Sequence, residues 1–315
     1  MARRGQNRNL AGQASAPEVE STPVLFFSSG VPLVGRIFRR RDGSGRQPGV
    51  VVTGSWLTVK EQMPAVYARQ LAERGYATLT FDFAGFGESG GEPRQAEIPT
   101  RKIGDITAAA EFLATQSFVT PDAVGLLGIC ASAQYGLAAL ARGAKVSSFV
   151  SVAGWFHDTV SVSQFYGGEA GVEERLARAD AALATYVQEQ RTEMVPAYAV
   201  DDERAGMFFE LDYYGNPERG AITAWRNEMA TLTWSHWLTF DGMRAASAVD
   251  TPTLLVHGDG CVFPDNARAV HAQLRGEKQL VWHEGFQVDF YDRPDLVSLA
   301  TEAADEHFRK TLPAG

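Results

Sequence analysis

A sharp bend between a strand and a helix constrains this chain most. Ala123–Gly128 is a short apolar run of the kind buried in a sheet, and Ala131–Gly143 reads as a helix. Gly128-Ile129-Cys130-Ala131-Ser132 joins them. A side chain lifted out of such a bend needs small residues two before and two after it. Gly128 and Ser132 meet that need around Cys130. Centring the bend on Ser132 instead puts Gln134 in one of the small places, where it is too large. Cys130 is therefore the candidate nucleophile and Ser132 is scaffold. At a helix N-terminus the dipole and free N–H groups favour a thiolate. The competing reading makes Cys130 a small structural residue in an ordinary turn.

The flanking sequence alternates strand and helix with short links. Pro23–Ser28, Val31–Arg39, Gly49–Thr53, Tyr76–Phe81 and Val146–Ala153 read as strands, and Lys60–Gly75 and Ile103–Thr115 as helices. The pattern resumes with a strand at Pro252–His257, a helix at Pro264–Leu274, a strand at Lys278–His283 and a helix at Pro294–Leu312. This is the pattern of an α/β protein with a mostly parallel central sheet and helices on both faces. Between Gly154 and Asp250 the rhythm breaks for far longer than the dozen or so residues a crossover needs. The expected organisation is a disordered tail at 1–22, a core at 23–154 and 251–315, and a helical cap insertion at 155–250. Aromatic residues crowd the cap, among them Trp155, Phe165, Tyr166, Phe209, Tyr214, Trp234 and Trp237. Most must pack the cap onto the body; several are expected to line an apolar substrate pocket.

A net charge of -9, with no basic stripe beyond Arg39-Arg40-Arg41, argues against a nucleic-acid partner. Two cysteines are too few for a disulfide framework. No apolar run reaches the length of a membrane span, and the tail lacks a signal-peptide core, so a cytoplasmic protein without a membrane partner is expected. His257-Gly258-Asp259-Gly260-Cys261 repeats no ligand-pair spacing, so no metal is expected. Gly85-Phe86-Gly87-Glu88-Ser89-Gly90 runs into Gly91 and Pro93 rather than a helix, which disfavours dinucleotide binding. No cofactor is called for. A homodimer is compatible with the sequence, which does not define the oligomeric state.

Acyl chemistry at such a bend needs two N–H donors for an oxyanion. One belongs to Ala131. The other lies in Gly54-Ser55-Trp56-Leu57-Thr58, from Ser55 or Trp56. Together with the run Lys60-Glu61-Gln62, Phe81-Asp82, Gly87–Arg94 and the ending Val288-Asp289-Phe290-Tyr291-Asp292, these segments resemble the dienelactone-hydrolase-like branch of the α/β-hydrolases. The resemblance covers residues 24–155 and 250–312. It implies a cysteine or serine nucleophile, an acid after the penultimate strands, a histidine after the last strand, and activity on esters, lactones or acyl groups.

One position departs from that pattern. Where the histidine is implied, just before Val288, the chain has Gln287. An amide can donate and accept hydrogen bonds but cannot carry a proton near pH 7. The acid is Asp259, one place off the usual spacing, or Asp265 just beyond; either is equally readable as a turn residue or cap. As surrogate base, His157 ranks first, ahead of His236, His283 and His257. Glu61 is the carboxylate alternative, or a salt-bridge partner at a helix start.

Three functions follow from these residues. The first is a hydrolase cleaving an ester, thioester or lactone of a hydrophobic small molecule through Cys130, with Gln287 orienting substrate or water and Trp155 at the pocket. The second keeps the site without hydrolysis, as an acyl transferase, lyase or cyclase. The third is a binding protein with an inert thiol.

Overall fold

The protein is described by a computed structural model covering residues 17–313. The body opens with β1 (Val19–Ser28), β2 (Val31–Arg40), β3 (Gln47–Thr53), α1 (Met63–Glu73), β4 (Ala77–Phe81), α2 (Pro99–Ala114), β5 (Val119–Ile129), α3 (Ala131–Ala141) and β6 (Ser148–Val152). An insertion follows with α4 (Thr159–Phe165), α5 (Gly168–Glu189), β7 (Met194–Val195), α6 (Asp212–Gly215), β8 (Met229–Ala230) and α7 (Thr233–Trp237). The body resumes with β9 (Thr253–His257), α8 (Pro264–Gln273), β10 (Lys278–Trp282), α9 (Asp289–Asp292) and α10 (Pro294–Thr311).

The main sheet runs β1-β2-β4-β3-β5-β6-β9-β10. β2 is antiparallel to β1 and β4, and the other pairings are parallel. β4, β6 and β9 are buried at every residue, as expected of parallel strands covered by helices on both faces. The sheet therefore holds the C-terminal ends of β3, β5, β6 and β9 side by side. Ligands of open α/β sheets bind at those ends.

The first strand begins earlier than expected. Residues 1–16 of the expected tail lie outside the described residues, but Val19–Thr22 belong to β1 and pair with Arg40 through Ile37. β1 is an edge strand with little burial in its first half, so this stretch lacks the apolar alternation of a strand. The edge also tolerates Pro23, whose missing N–H leaves no central ladder broken.

The insertion is less helical than the helical cap expected at 155–250. α5 is its one long helix. Between α5 and α7 the chain is mostly irregular, held by the two-residue pair β7–β8 and isolated bridges such as Tyr198–Met207. Aromatic packing joins it to the body: the Trp56 ring from the loop after β3 stacks at 4.8 Å on Trp237, and Trp155 lies 5.5 Å from the same ring. Offset and edge contacts of this kind add about 0.5–1.5 kcal/mol each beyond area burial. Arg219 adds a polar tie, with Nε and Nη2 donating to the two Asp292 carboxylate oxygens at 2.9 and 2.6 Å. Among the described residues no helix is long and apolar enough to cross a membrane.

A buried ion pair supports the loop after β3. Glu97 and Lys102 are essentially solvent-free and 2.7 Å apart. The Lys102 ammonium lies 4.4 Å from the ring centres of both Phe83 and Phe86. Glu97 also accepts from the Tyr135 hydroxyl at 2.8 Å and from the Leu57 N–H at 3.1 Å. Leu57 has φ 60°, a left-handed conformation unusual for a branched residue, and this carboxylate holds its amide in place. Removing one partner strands the other charge in the interior. Glu97→Ala is expected to cost about 3–5 kcal/mol of stability, read from the urea midpoint. Combining it with Lys102→Met should recover only the part due to the stranded ammonium, because the Tyr135 hydroxyl and the Leu57 N–H still lack their acceptor.

Candidate active site

Cys130 sits at the end of β5 with φ 54° and ψ -120° and is the residue immediately before α3. Backbone held in such a region costs about 1–3 kcal/mol and persists only where its surroundings enforce it. Here the Cys130 N–H donates to Val152 at 3.1 Å, while its carbonyl accepts from Ala133 at 3.0 Å and Trp155 at 2.9 Å. Gly128 makes the bend feasible, because a Cβ there would lie 2.9 Å from the Ser132 carbonyl oxygen. The Ser132 hydroxyl donates to the Gly54 carbonyl, tying the bend to the loop after β3. The strained turn thus presents the sulfur while its neighbours lock the two loops together.

The backbone N–H groups of Trp56 and Ala131 and the hydroxyls of Ser55 and Tyr291 pull the pKa of the thiol downward. All four favour the thiolate. Burial acts more strongly in the opposite direction and raises the thiol above its ordinary range. The helix N-terminus therefore does not by itself give a thiolate at neutral pH.

Gln287 lies in the same cavity and is buried. Its Oε1 accepts from the Val262 N–H at 3.0 Å. Its Nε2 donates to the Ala153 carbonyl at 2.6 Å and to the Tyr291 hydroxyl oxygen at 3.1 Å. These partners set the orientation of the amide. The Tyr214 hydroxyl, from the insertion, donates to Ser55 Oγ at 2.9 Å, and Ser55 Oγ lies 3.3 Å from Tyr291 Oη. Burial keeps both phenols protonated well past their ordinary range.

The cavity above the sulfur measures about 50 Å³. Trp155, Phe165, Tyr166, Met207, Phe209 and Leu211 of the insertion form its apolar wall. Ser55, Trp56, Cys130, Gln287 and Tyr291 are on the body side. Among the described residues, no histidine, aspartate or glutamate lines it.

The remaining sequence candidates lie elsewhere. His157 is fully buried, but its Nδ1 accepts from Trp155 Nε1 at 2.8 Å. That assigns the proton to Nε2, which reaches the Trp237 carbonyl at 3.1 Å. Burial lowers its pKa to about 4, so the ring is neutral and committed on both sides. It braces the insertion. Glu61 pairs with Lys60 at 2.8 Å, and Lys60 also holds Asp82 and Glu88. This cluster draws the Glu61 carboxylate away from the cavity wall. Asp259 is exposed and pairs with Arg268 at 2.6 Å; Asp265 pairs with the same guanidinium at 2.9 Å. His257 is buried and His283 exposed, with His236 half-buried, and none faces the cavity.

Two residues of the sulfur's surroundings were not singled out by sequence. Tyr291 lies four residues after Gln287, a spacing that brings side chains together around a helical turn. Tyr214 carries no such signal, since only the folding of the insertion brings it to Ser55.

Comparison with known proteins agrees with the overall fold. The uncharacterized protein PA2218 of Pseudomonas aeruginosa is 29% identical over 305 residues, 92% of this chain and 81% of that protein. A crystal structure of hypothetical protein PA2218 from that organism gives a TM-score of 0.81 at 22% identity, covering 99% of this chain and 100% of that one. The α/β-hydrolase GrgF from Penicillium sp. sh18 gives 0.80 at 19% identity, covering 93% and 99%. Polyketide transferase claH of Penicillium crustosum is 35% identical over 116 residues, 36% of this chain and 38% of that protein. The sequence matches a family profile across residues 29–286, which takes in the whole insertion and the body up to the residue before Gln287, and so the chain is an α/β-hydrolase belonging to the X-Pro dipeptidyl-peptidase (S15) family.

Proposed function

We propose that the protein takes the acyl group of a hydrophobic thioester, or of a comparably activated ester or lactone, onto Cys130. We place it with the dienelactone-hydrolase-like enzymes of the fold. The observation that carries this reading is a thiol on a strained bend that lines an apolar cavity together with Ser55, Trp56 and Tyr291. The thiol loses its proton to solvent and the thiolate attacks the carbonyl carbon. The new S–C bond pushes the carbonyl π electrons onto oxygen, which the Trp56 and Ala131 N–H groups stabilise. Collapse expels the leaving group, which is protonated by solvent, and leaves an acyl-enzyme.

The leaving group decides which substrates suit this site. No imidazole lines the cavity to protonate an alkoxide, so an oxoester intermediate would expel the better leaving group, the Cys130 thiolate, and return to substrate. A thioester releases a thiolate of similar basicity, with a pKa near 8.5, and needs no such acid. The small-molecule partner is accordingly a thioester whose acyl chain fits between Phe165, Phe209 and Leu211.

Water completes the hydrolytic cycle by attacking the acyl-enzyme. That step needs a base more than the first one does, because cysteine is intrinsically nucleophilic and water is not. The fully engaged Gln287 amide supports a second reading, in which the acyl group passes to an acceptor that brings its own nucleophilicity. The relative named a polyketide transferase is consistent with it.

Turnover of a short-chain acyl thioester should fall at least ~10³-fold in Cys130→Ala, measured by release of free thiol. Turnover that survives this change would remove Cys130 from the mechanism. Burial raises the thiol, so the rate of acylation should climb with pH, with a midpoint above the ordinary thiol value of about 8.5. Gln287→His should speed discharge of the acyl-enzyme to water by a factor approaching ~10², the low end of general-base catalysis. Mass spectrometry of the intact protein would follow the acyl adduct.

A further inference from the structure

We propose that Met207 is the specificity-determining residue of this site, closing the inner end of the cavity so that only a short acyl group, of acetyl to butyryl size, is accepted on Cys130. The proposal rests on the reading of Cys130 as the acylated residue and adds to it the size of the substrate.

Volume and burial carry the argument. The cavity measures about 50 Å³. A water-sized group needs about 10–15 Å³ on this measure, which leaves room for about three to five heavy atoms. Acetyl and butyryl groups lie within that range, and a hexanoyl group exceeds it. Phe165, Phe209 and Leu211 line the cavity and are only half-buried, so they border solvent as well and form its mouth. Trp56, Trp155, Tyr166 and Met207 line it and are buried, so they enclose its interior. A chain that enters past the mouth ends against this buried set. Each methylene that does not fit an apolar pocket costs ~10–200-fold in selectivity.

The three buried aromatic residues are committed to packing. Trp56 stacks on Trp237 and leans on Trp234 at 6.0 Å between ring centres. Trp155 donates its indole N–H to His157. Tyr166 packs edge-on against Trp234 at 5.0 Å, and its carbonyl accepts from Arg175 at 3.0 Å. Met207 differs, because its main chain fixes its place and leaves its side chain to the cavity. The Met207 N–H donates to the Ala197 carbonyl at 2.8 Å, and its own carbonyl accepts from the Ala199 N–H at 3.0 Å. The preceding Gly206 lies against Trp56, where a Cβ would come 2.8 Å from the indole ring. Absence of a side chain at Gly206 thus lets the insertion press onto the loop after β3 and carries Met207 inward. An unbranched thioether adapts to an irregular wall. With its backbone fixed, the length of this side chain sets how deep the cavity runs.

The test labels the full chain with methyl, butyl and hexyl methanethiosulfonates. The Cys130 thiolate attacks the sulfur that bears the alkyl group, a disulfide forms, and methanesulfinate leaves to solvent. An apolar wall excludes the anionic sulfinate, so the alkyl group takes the interior. Peptide mapping separates Cys130 from Cys261. The readout is the hexyl rate divided by the methyl rate, in which any change in the reactivity of the thiol itself cancels. Glutathione supplies the ratio for an open thiol. The wild-type ratio should fall at least ~10-fold below that of glutathione. Met207→Ala should raise it at least ~10-fold, and Met207→Phe should extend the exclusion to the butyl reagent. Loosened packing would not shift the limit in opposite directions for the two variants. Thermal melting verifies folding, and Met207→Phe decides where the alanine variant does not fold. A wild-type ratio equal to that of glutathione overturns the proposal, as does a Cys130 that no reagent reaches. Wild-type ratios in the folded variants overturn it too. Labelling requires no turnover, so these outcomes are separate from the Cys130→Ala result that decides the nucleophile itself.

Discussion

The left-handed backbone at Cys130 is the constraint on which the rest of the site depends. A cysteine does not adopt φ 54° without enforcement. The enforcement comes from both neighbours in the sheet and both neighbouring loops. β6 accepts its N–H, Ala133 and Trp155 share its carbonyl, and Ser132 ties the bend to Gly54. The same contacts bring the loop after β3 against the start of α3, which is why the Trp56 and Ala131 amides act on one sulfur. Strain at the bend and convergence of the donors are thus one arrangement.

That arrangement is rich in hydrogen-bond donors and poor in proton acceptors. Backbone amides, serine and tyrosine hydroxyls surround the sulfur, and the amide of Gln287 stands where the family resemblance implies an imidazole. Donors stabilise negative charge on sulfur and on a carbonyl oxygen, but they cannot take a proton from water. A site built this way is suited to holding negative charge and not to taking up a proton.

Charge management outside the cavity follows the same division. Lys60 gathers Asp82, Glu88 and Glu61, and Arg268 gathers Asp259 and Asp265. Glu97 and Lys102 neutralise each other beneath the loop after β3. The carboxylates that sequence spacing offers as acids and bases are engaged as structural ions. The acidic groups near the site buttress loops, and the cavity itself is left to neutral side chains.

The sheet, its helices and the bend were readable from residue order because they rest on local signals. β-branched runs such as Val50–Val52 can only be buried strands, and Gly128 and Ser132 are small because a larger residue collides across the bend. Gln287 was readable for the same reason, as a position counted from a neighbouring pattern. The roles offered to His157, Glu61 and Asp259 depended on distance in space, which spacing along the chain does not encode. Tertiary structure turned the first into a brace between Trp155 and Trp237 and the other two into ion pairs. Tyr214 shows the limit most clearly. It lies 159 residues from Ser55, in a segment with little regular periodicity. Its hydroxyl gains a partner only when the insertion closes over the sheet. Local sterics and burial determined where Cys130 stands; long-range packing alone decided which groups surround it.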